Sequence, residues 1–296
     1  MGTYTKEYLA GFAPRHAAFV GIDSDGCVFP TMELKQQACF HPEIIRRWGL
    51  EPIGALVRET AEFVSLRSRW RGSNRFPALV RTFDLLRDRP EVVRSGAAVP
   101  RLDALRRYVA SGRALSNAAL EAEAGRTGDP ELAAVLAWSR AVNACIERTV
   151  RNVPPYAWAR RSIERMSPQA DLLVVSQTPE EALVREWREH GLDRHVFAIA
   201  GQELGTKGEH LALAAGGKYP AGRSLVIGDA PGDRQAALAV DALFYPIDPG
   251  GEEESWRAFC ETDFDRFLAG AYAGECQARL VARFEALLPE HPPWRI

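Results

Sequence analysis

The sequence predicts an α/β protein whose parallel sheet is interrupted by a long all-helical insertion. Short, continuous apolar segments occur once near the start of the chain and four times after residue 170, as is typical of strands covered on both faces. Helical stretches separate the four late segments, which indicates consecutive strand–helix units of a doubly wound sheet. Between the first and second segments, apolar residues recur at helical spacing without a convincing strand.

About five strands are expected, at 17–22, 171–175, 196–200, 224–227 and 242–247. The helix after the second strand has the clearest start signal. Thr178, Pro179 and Glu181 match an N-cap, a proline at the first helical position and a capping-box glutamate. Gly191 fits the end of this helix, because glycine readily adopts the left-handed conformation that follows many helices.

The insertion spans residues 31–168, so the core is expected to consist of residues 1–30 and 169–296. Helical periodicity within the insertion is clearest at 53–64, 76–86 and 132–149. The last of these stretches follows a helix start signal, Asp129-Pro130. Further helical patterns after Pro249 predict that helices in residues 250–296 complete the core.

Composition excludes several classes of protein. A chain of 296 residues with 46% hydrophobic and 26% charged residues can bury a sizeable core, which excludes disordered and fibrous classes. The formal net charge of −2 lacks the basic excess of a nucleic-acid-binding protein. No apolar run approaches the roughly 18 residues of a membrane span. We therefore expect neither nucleic acid nor a membrane as partner.

The cysteines bear on the cellular compartment. Cys27, Cys39, Cys145, Cys260 and Cys276 are odd in number, widely spaced and without a CxxC pair. This pattern favours reduced thiols over a disulfide framework or a zinc site. The first 16 residues also lack a recognisable secretory signal. Both observations predict a cytoplasmic location.

Polar and charged residues follow four of the predicted strands, at the sheet edge where doubly wound proteins bind ligands. In chain order these four stations are Asp23-Ser24-Asp25-Gly26, Ser176-Gln177-Thr178, Gly205-Thr206-Lys207-Gly208 and Gly228-Asp229-Ala230-Pro231-Gly232-Asp233. Because the carboxyl ends of parallel strands share one edge, we expect these stations to converge.

The residue types at this edge indicate a bound phosphate and a metal ion. Burying unpaired carboxylates costs several kcal/mol, so Asp23 and Asp25 are not explained by packing. Together with Asp229 and Asp233 they form an all-oxygen set that suits Mg²⁺ rather than zinc. Lys207 supplies a further positive charge.

Other residues at this edge fit the same chemistry. Ser176 offers a hydroxyl donor, and Gly26 lets the backbone turn tightly so that the amides after Asp23 can point inward. A carboxylate next to a metal-bound phosphoryl group can attack it and form an aspartyl-phosphate.

The four stations, read in order as DxD, Ser/Thr, Lys and GDxxxD, resemble the four motifs of the haloacid dehalogenase (HAD) superfamily. The resemblance covers about residues 17–30 and 170–248, and the insertion resembles that family's C1-type helical cap. It implies a Rossmann-like (HAD-like) core with strand order 5-4-1-2-3. Many C1-capped members carry an aspartate four to five residues after the DxDG glycine, where this sequence has Pro30-Thr31.

The resemblance also implies a role for each matched residue. Asp23 would be the nucleophile and a Mg²⁺ ligand. Asp25 would protonate the leaving oxygen and then activate water, while its main-chain carbonyl binds the metal. Asp229 would be a direct metal ligand, and Asp233 a more distant one that acts through water or on Lys207.

The remaining candidates are expected to bind substrate. Ser176 and Lys207 would hold the phosphoryl oxygens. The other predicted substrate-binding residues are Ser24, Gly26, Gln177, Asn74, Arg75 and Lys35. Asn74 and Arg75 belong to a donor-rich turn, residues 69–76, which is either a specificity loop or a solvated connection between two helices.

The sequence thus predicts a Mg²⁺-dependent phosphatase that hydrolyses a small-molecule phosphomonoester through an aspartyl-phosphate. The expected partner is a small phosphorylated substrate, and the expected oligomeric state is a monomer or homodimer. Asp25 favours this reaction over dehalogenation, since an alkoxide leaving group needs a proton donor and a halide does not. The alternatives are a phosphomutase or phosphotransferase with the same intermediate, then a 2-haloacid dehalogenase, and last a non-catalytic phospho-receiver module.

Overall fold

The computed structural model describes residues 4–294, and the chain divides into two compact units. The first, here called the core unit, contains the described residues up to Met32 together with Asn152–Leu288. The second, here called the helical unit, contains Glu33–Arg151 and the described residues from Pro289 onward.

The strands of the core unit are β1 (Phe19–Ile22), β2 (Asp171–Val175), β3 (Ala198–Ala200), β4 (Ser224–Gly228) and β5 (Leu243–Pro246). They form a fully parallel sheet in the order β3-β2-β1-β4-β5. The α/β class, the strand positions and the strand order are therefore confirmed. Three predicted strands begin one or two residues too early, because buried residues such as Ala18 continue the apolar run beyond the ladder.

The helices before residue 152 are α1 (Lys6–Gly11), α2 (Thr31–Lys35), α3 (His41–Trp48), α4 (Gly54–Leu66), α5 (Arg75–Arg87), α6 (Pro90–Ser95), α7 (Asp103–Ala110), α8 (Asn117–Thr127) and α9 (Pro130–Thr149). Those after it are α10 (Ala157–Met166), α11 (Glu180–Glu189), α12 (Lys207–Ala215), α13 (Pro231–Leu238), α14 (Glu252–Ala258), α15 (Phe264–Leu268) and α16 (Glu275–Ala286). Among the described residues, no helix combines the length and the apolar character needed to cross a membrane.

The helical unit has its own hydrophobic core, which explains why it forms a separate body. Trp138, Phe83 and Phe76 are buried in one cluster, and the Trp48 ring meets Phe83 edge-on at 5.0 Å. The predicted start of α9 is confirmed, since the Asp129 carboxylate accepts a hydrogen bond from the Glu131 amide at 2.8 Å.

The second boundary of the insertion differs from the expected residue 168. Residues 152–168 belong to the core unit, because α10 buries Ala159, Ile163 and Met166 in the same hydrophobic cluster as Val20 and Ile22 of β1. The helical periodicity of α10 identifies a helix but does not reveal which core the helix completes.

The C-terminal boundary also differs from the prediction that residues 250–296 stay with the core. The segment that begins at Pro289 belongs to the helical unit. The Arg69 amide donates to the Pro289 carbonyl at 3.3 Å, and the Trp294 ring packs edge-on against Phe63 at 5.5 Å. The Arg89 guanidinium lies 4.2 Å from the centre of the same indole ring. Within residues 4–294 the chain therefore passes between the units three times.

The predicted capping signal of α11 is wrong in detail. Pro179 is the N-cap residue, and its own side chain makes no capping hydrogen bond to the helix, which begins at Glu180. The Glu180 amide donates instead to the Glu203 carboxylate at 2.9 Å. With Pro179 as the N-cap residue, Thr178 lies one residue before the cap. Gly191 follows the C-cap with φ of 65°, as its expected role at the helix end requires.

Two cysteines depart from the expectation of reduced thiols. Cys39 and Cys145 form a disulfide within the helical unit, whereas Cys27, Cys260 and Cys276 are free. Cys27 is fully buried, and its burial raises the pKa of its thiol well above the ordinary value, which makes it a poor nucleophile. Sequence spacing gave no signal for a pair separated by 106 residues.

The disulfide predicts the number of titratable thiols. The unfolded protein prepared without reductant should react with Ellman's reagent at three cysteines, and at all five after reduction. Reduction should also lower the midpoint of thermal unfolding, because cross-links of this kind typically stabilise by about 2–4 kcal/mol. The Cys145→Ala variant is the matched control, since reductant should leave its midpoint unchanged. Five reactive thiols in the unreduced wild type would contradict the pairing.

Candidate active site

The register of the sheet brings the predicted stations to one edge. Ile22 at the end of β1 pairs with Val174 on β2 and with Ile227 on β4. Asp23 therefore follows directly after β1, and Ser176 and Asp229 each lie two residues beyond a strand partner of Ile22. All of these positions are at the carboxyl ends of parallel strands, as the sequence predicted.

The loop after β1 is folded tightly on itself. The Ser24 carbonyl accepts hydrogen bonds from the amides of Cys27, Val28 and Phe29 at 2.9–3.3 Å. Gly26 has φ of 85°, a conformation that favours glycine. Its amide donates to the Phe29 carbonyl at 2.9 Å. Gly26 therefore shapes the turn, and this N–H is already used within the protein, contrary to the expectation that Gly26 binds substrate.

A buried group of carboxylates lies around one ammonium group. Oxygen atoms of Asp23, Asp229 and Asp233 all lie within 4.8 Å of one another. The Lys207 Nζ is 3.0 Å from Asp23 Oδ1 and 2.5 Å from Asp233 Oδ1. The structure therefore brings together four of the predicted site residues, and it places Asp233 directly on Lys207, one of the two roles considered for it.

The start of α12 fixes the position of Lys207. Thr206 and Glu209 form a capping box, in which the Thr206 hydroxyl accepts from the Glu209 amide at 3.2 Å and the Thr206 amide donates to the Glu209 carboxylate at 2.7 Å. Lys207 is therefore the first residue of the helix. Gly205 precedes the box with φ of 116°, so the glycine before this motif has a conformational reason.

Gly228 makes room for the acidic cluster. A Cβ atom at this position would overlap the Asp233 carboxyl group. The second oxygen of Asp233 accepts a hydrogen bond from the Ala230 amide at 3.0 Å, which holds the carboxyl group against the glycine. The GDxxxD spacing thus has a steric cause, namely that Gly228 and Asp233 meet across the turn between β4 and α13.

The electrostatics of the cluster favour an additional positive charge. Burial raises the pKa of Asp23, and the neighbouring Asp233 and Asp229 raise it further, against the opposing effect of Lys207. Burial alone would lower the pKa of Lys207, but Asp23 and Asp233 raise it above the ordinary value, so the amine stays charged. With all groups ionised, the three carboxylates exceed the ammonium by two negative charges. A divalent cation with a preference for oxygen ligands, such as Mg²⁺, fits this donor set.

Asp25 is not one of the three carboxylates of the cluster, and one of its oxygens accepts a hydrogen bond from another residue. The buried Thr31 hydroxyl donates to Asp25 Oδ1 at 2.5 Å. From the sequence, Thr31 was evident only as a departure from the pattern of the resembled family. The available signal was its hydroxyl group close in sequence, six residues after a carboxylate that is expected to transfer protons.

The second station is held in place by its own hydrogen bonds. Ser176 is buried, and its hydroxyl oxygen accepts from the Thr178 amide at 3.2 Å, which leaves the hydroxyl proton to be donated. The Gln177 side-chain amide donates to the Gly205 carbonyl at 2.9 Å. Gln177, expected to bind substrate, therefore joins the second station to the third.

The Ser24 side chain makes two hydrogen bonds within the protein. Its hydroxyl accepts a hydrogen bond from the Trp187 indole N–H at 3.0 Å and donates to Glu186 Oε2 at 3.1 Å. The expectation that Ser24 binds substrate is therefore not met by its hydroxyl. Trp187 and Glu186 were not identified from the sequence, since helix α11 reads as an ordinary amphipathic helix.

The substrate-binding candidates Lys35, Asn74 and Arg75 belong to the helical unit. Asn74 caps α5 through the Phe76 amide and donates to the Leu115 carbonyl at 2.8 Å. Arg75 donates to Ser139 Oγ at 2.9 Å and to the Asn143 side chain at 2.7 Å. These contacts favour the interpretation of residues 69–76 as a helix connection. Lys35 is the last residue of α2.

Comparison with known proteins gives matches among solved structures only. No family model matches the chain, and no curated protein matches it. The chain is similar to a HAD-superfamily hydrolase, subfamily IA, variant 1, from Geobacter sulfurreducens PCA, with 14% identity, a TM-score of 0.38, and coverage of 78% of this chain and 88% of that one. It is also similar to a haloacid dehalogenase-like family hydrolase from Xanthomonas campestris, with 12% identity, a TM-score of 0.39, and coverage of 84% and 96%. Both matches are at low identity and low structural similarity.

Proposed function

We propose that this protein is a Mg²⁺-dependent phosphatase of the HAD superfamily that hydrolyses a small-molecule phosphomonoester. The observation that carries the proposal is the buried cluster of Asp23, Asp229 and Asp233 with Lys207 bound to two of its carboxylates. A hydrolase with an aspartate nucleophile needs this combination, because the attacking carboxylate must be close to both a cation site and a fixed positive charge.

Asp23 is the proposed nucleophile. Lys207 binds its Oδ1 at 3.0 Å, which orients the carboxylate and leaves Oδ2 to attack phosphorus. The attack forms an Oδ2–P bond and breaks the P–O bond to the alcohol. Asp25 gives its proton to the departing alcohol oxygen, and the Thr31 hydroxyl at 2.5 Å keeps its carboxyl group oriented.

Hydrolysis of the aspartyl-phosphate reverses the role of Asp25. The carboxylate takes a proton from a water molecule, whose oxygen bonds to phosphorus while the bond between phosphorus and Asp23 breaks. Phosphate leaves and Asp23 returns to its free form. Ser176 and Lys207 donate hydrogen bonds to the phosphoryl oxygens in both steps.

The proposed metal site uses carboxylates of the buried cluster. Asp23 and Asp229 would hold the Mg²⁺ ion, with the Asp25 main-chain carbonyl as a further ligand. Asp233, whose two oxygens accept from Lys207 and from the Ala230 amide, would be a more distant member of the site. When bound, the ion neutralises the phosphoryl charge and so permits an anionic carboxylate to approach an anionic ester.

The wider proposal concerns substrate and setting. The substrate is a small phosphorylated molecule and not a nucleic acid, in keeping with the net charge of −2, and the protein acts as a monomer or homodimer without a membrane partner. We also propose a cytoplasmic location. The Cys39–Cys145 disulfide counts against that part, because disulfides are rare in the cytosol.

Replacement of the nucleophile should abolish turnover. Asp23→Asn keeps the size of the side chain but removes the attacking charge, so hydrolysis of p-nitrophenyl phosphate should fall to the uncatalysed background while circular dichroism shows an intact fold. Asp241→Asn is a matched control, because Asp241 is exposed and has φ of 54°, a conformation that asparagine also adopts. Activity of Asp23→Asn equal to that of the control would remove Asp23 from its role.

The proton-transfer role of Asp25 predicts a dependence on the leaving group. Asp25→Asn should lower kcat by about 10²–10⁴-fold for an alkyl phosphate, the usual size of a general acid–base contribution. The loss should be smaller for p-nitrophenyl phosphate in the first step, measured as the burst of nitrophenol, because nitrophenolate leaves without a proton. Equal losses for both esters would contradict this role.

Release of halide from a 2-haloacid by the wild type would instead favour dehalogenation.

The all-oxygen ligand set predicts a specific metal dependence. Removal of divalent ions with EDTA should stop hydrolysis, and Mg²⁺ should restore it. Asp229→Asn should raise the Mg²⁺ concentration needed for half-maximal activity by at least about tenfold, the usual size of the loss when a metal-site group is changed, whereas Asp241→Asn should not. Recovery with Zn²⁺ and not with Mg²⁺ would contradict the assignment.

A further inference from the structure

Two buried tryptophans hold the loop that carries the acidic residues of the first station. The Trp187 indole N–H donates to Ser24 Oγ at 3.0 Å, and the Trp256 indole N–H donates to the Cys27 carbonyl at 2.8 Å. Both indoles are completely buried. They come from different helices, α11 and α14, and contact the loop three residues apart.

The contact at Ser24 continues into a short chain of hydrogen bonds. The hydroxyl that accepts from Trp187 donates its own proton to Glu186 at 3.1 Å. Successive hydrogen bonds of this kind polarise and strengthen one another. Ser24 lies between Asp23 and Asp25, so fixing its side chain restricts the backbone torsions of the residue between the proposed nucleophile and the proposed acid.

Burial of the indoles does not by itself require these contacts. Trp138, in the helical unit, is also completely buried, and its indole nitrogen has no hydrogen-bond partner. This protein can therefore bury a tryptophan without pairing the N–H. At Trp187 and Trp256 the pairing has a specific target, the segment from Asp23 to Phe29.

We propose that Trp187 and Trp256 are positioning residues that hold the loop after β1 in the geometry needed for attack by Asp23. The inference rests on the proposed phosphatase activity. In-line attack requires reacting atoms about 3–3.5 Å apart, and a displacement of about 1 Å can cost about 100-fold in rate. An indole donor suits this task, because its rigid ring fixes the N–H direction and its burial excludes water as a competing partner.

The test compares three phenylalanine variants that each remove one indole N–H while keeping an aromatic ring. In Trp187→Phe and Trp256→Phe, kcat for a phosphomonoester should fall about 10- to 100-fold, while KM changes by less than about threefold. Hydrogen–deuterium exchange of the peptide covering residues 23–29 should be faster in both. Trp138→Phe, which loses no hydrogen bond, should match the wild type in kcat and exchange.

Ser24→Ala separates positioning from a loss of folding, because it removes the acceptor without changing the aromatic core. It should reproduce at least the kcat loss of Trp187→Phe. The double variant Ser24→Ala/Trp187→Phe should lose no more than the larger single loss, since both changes break the same hydrogen bond between Trp187 and Ser24. Additive losses, or low activity in Trp187→Phe with normal activity in Ser24→Ala, would assign Trp187 a structural role only and overturn the inference.

The outcomes also distinguish this inference from the proposed function. If the wild type is active and all three phenylalanine variants keep its kcat and its exchange rates, the inference is wrong and the proposed function stands. If the wild type hydrolyses no phosphomonoester with Mg²⁺ present, the proposed function fails, and the positioning of a nucleophile fails with it.

Discussion

The site depends on one ammonium group shared between two buried carboxylates. Lys207 lies 3.0 Å from Asp23 and 2.5 Å from Asp233, and without it three acidic groups would repel one another in a medium that screens charge poorly. The rest of the local structure serves this contact. The capping box starts a helix at the lysine, and Gly228 leaves space for the Asp233 carboxyl group.

Lys207 also determines the charge that the cluster keeps and the orientation of Asp23. Lys207 offsets part of the negative charge but not all of it, so a cation is still favoured there. Its bond is to one oxygen of Asp23, and in the proposed reaction the other oxygen attacks phosphorus. In the proposed reaction, Lys207 both orients Asp23 and donates to the phosphoryl group, two tasks that would otherwise need separate residues.

Much of the core could be predicted from the sequence because its signals are local. Continuous apolar runs give the strands, and parallel order then places Asp23 and Asp229 at a common edge. Contacts between distant residues could not be predicted. The partners Cys39 and Cys145 are 106 residues apart, and Trp187 reaches Ser24 across 163 residues, so no periodicity or motif connects them.

The C-terminal segment changes how the helical unit can be regarded as a module. A cap inserted between two points of a sheet could in principle be exchanged by cutting the chain at two junctions. Here Trp294, which follows the last helix of the core in the sequence, packs on Phe63 and Arg89. Grafting Glu33–Arg151 alone onto another sheet would leave an empty aromatic site on the graft, so a functional transplant needs a third junction near Pro289.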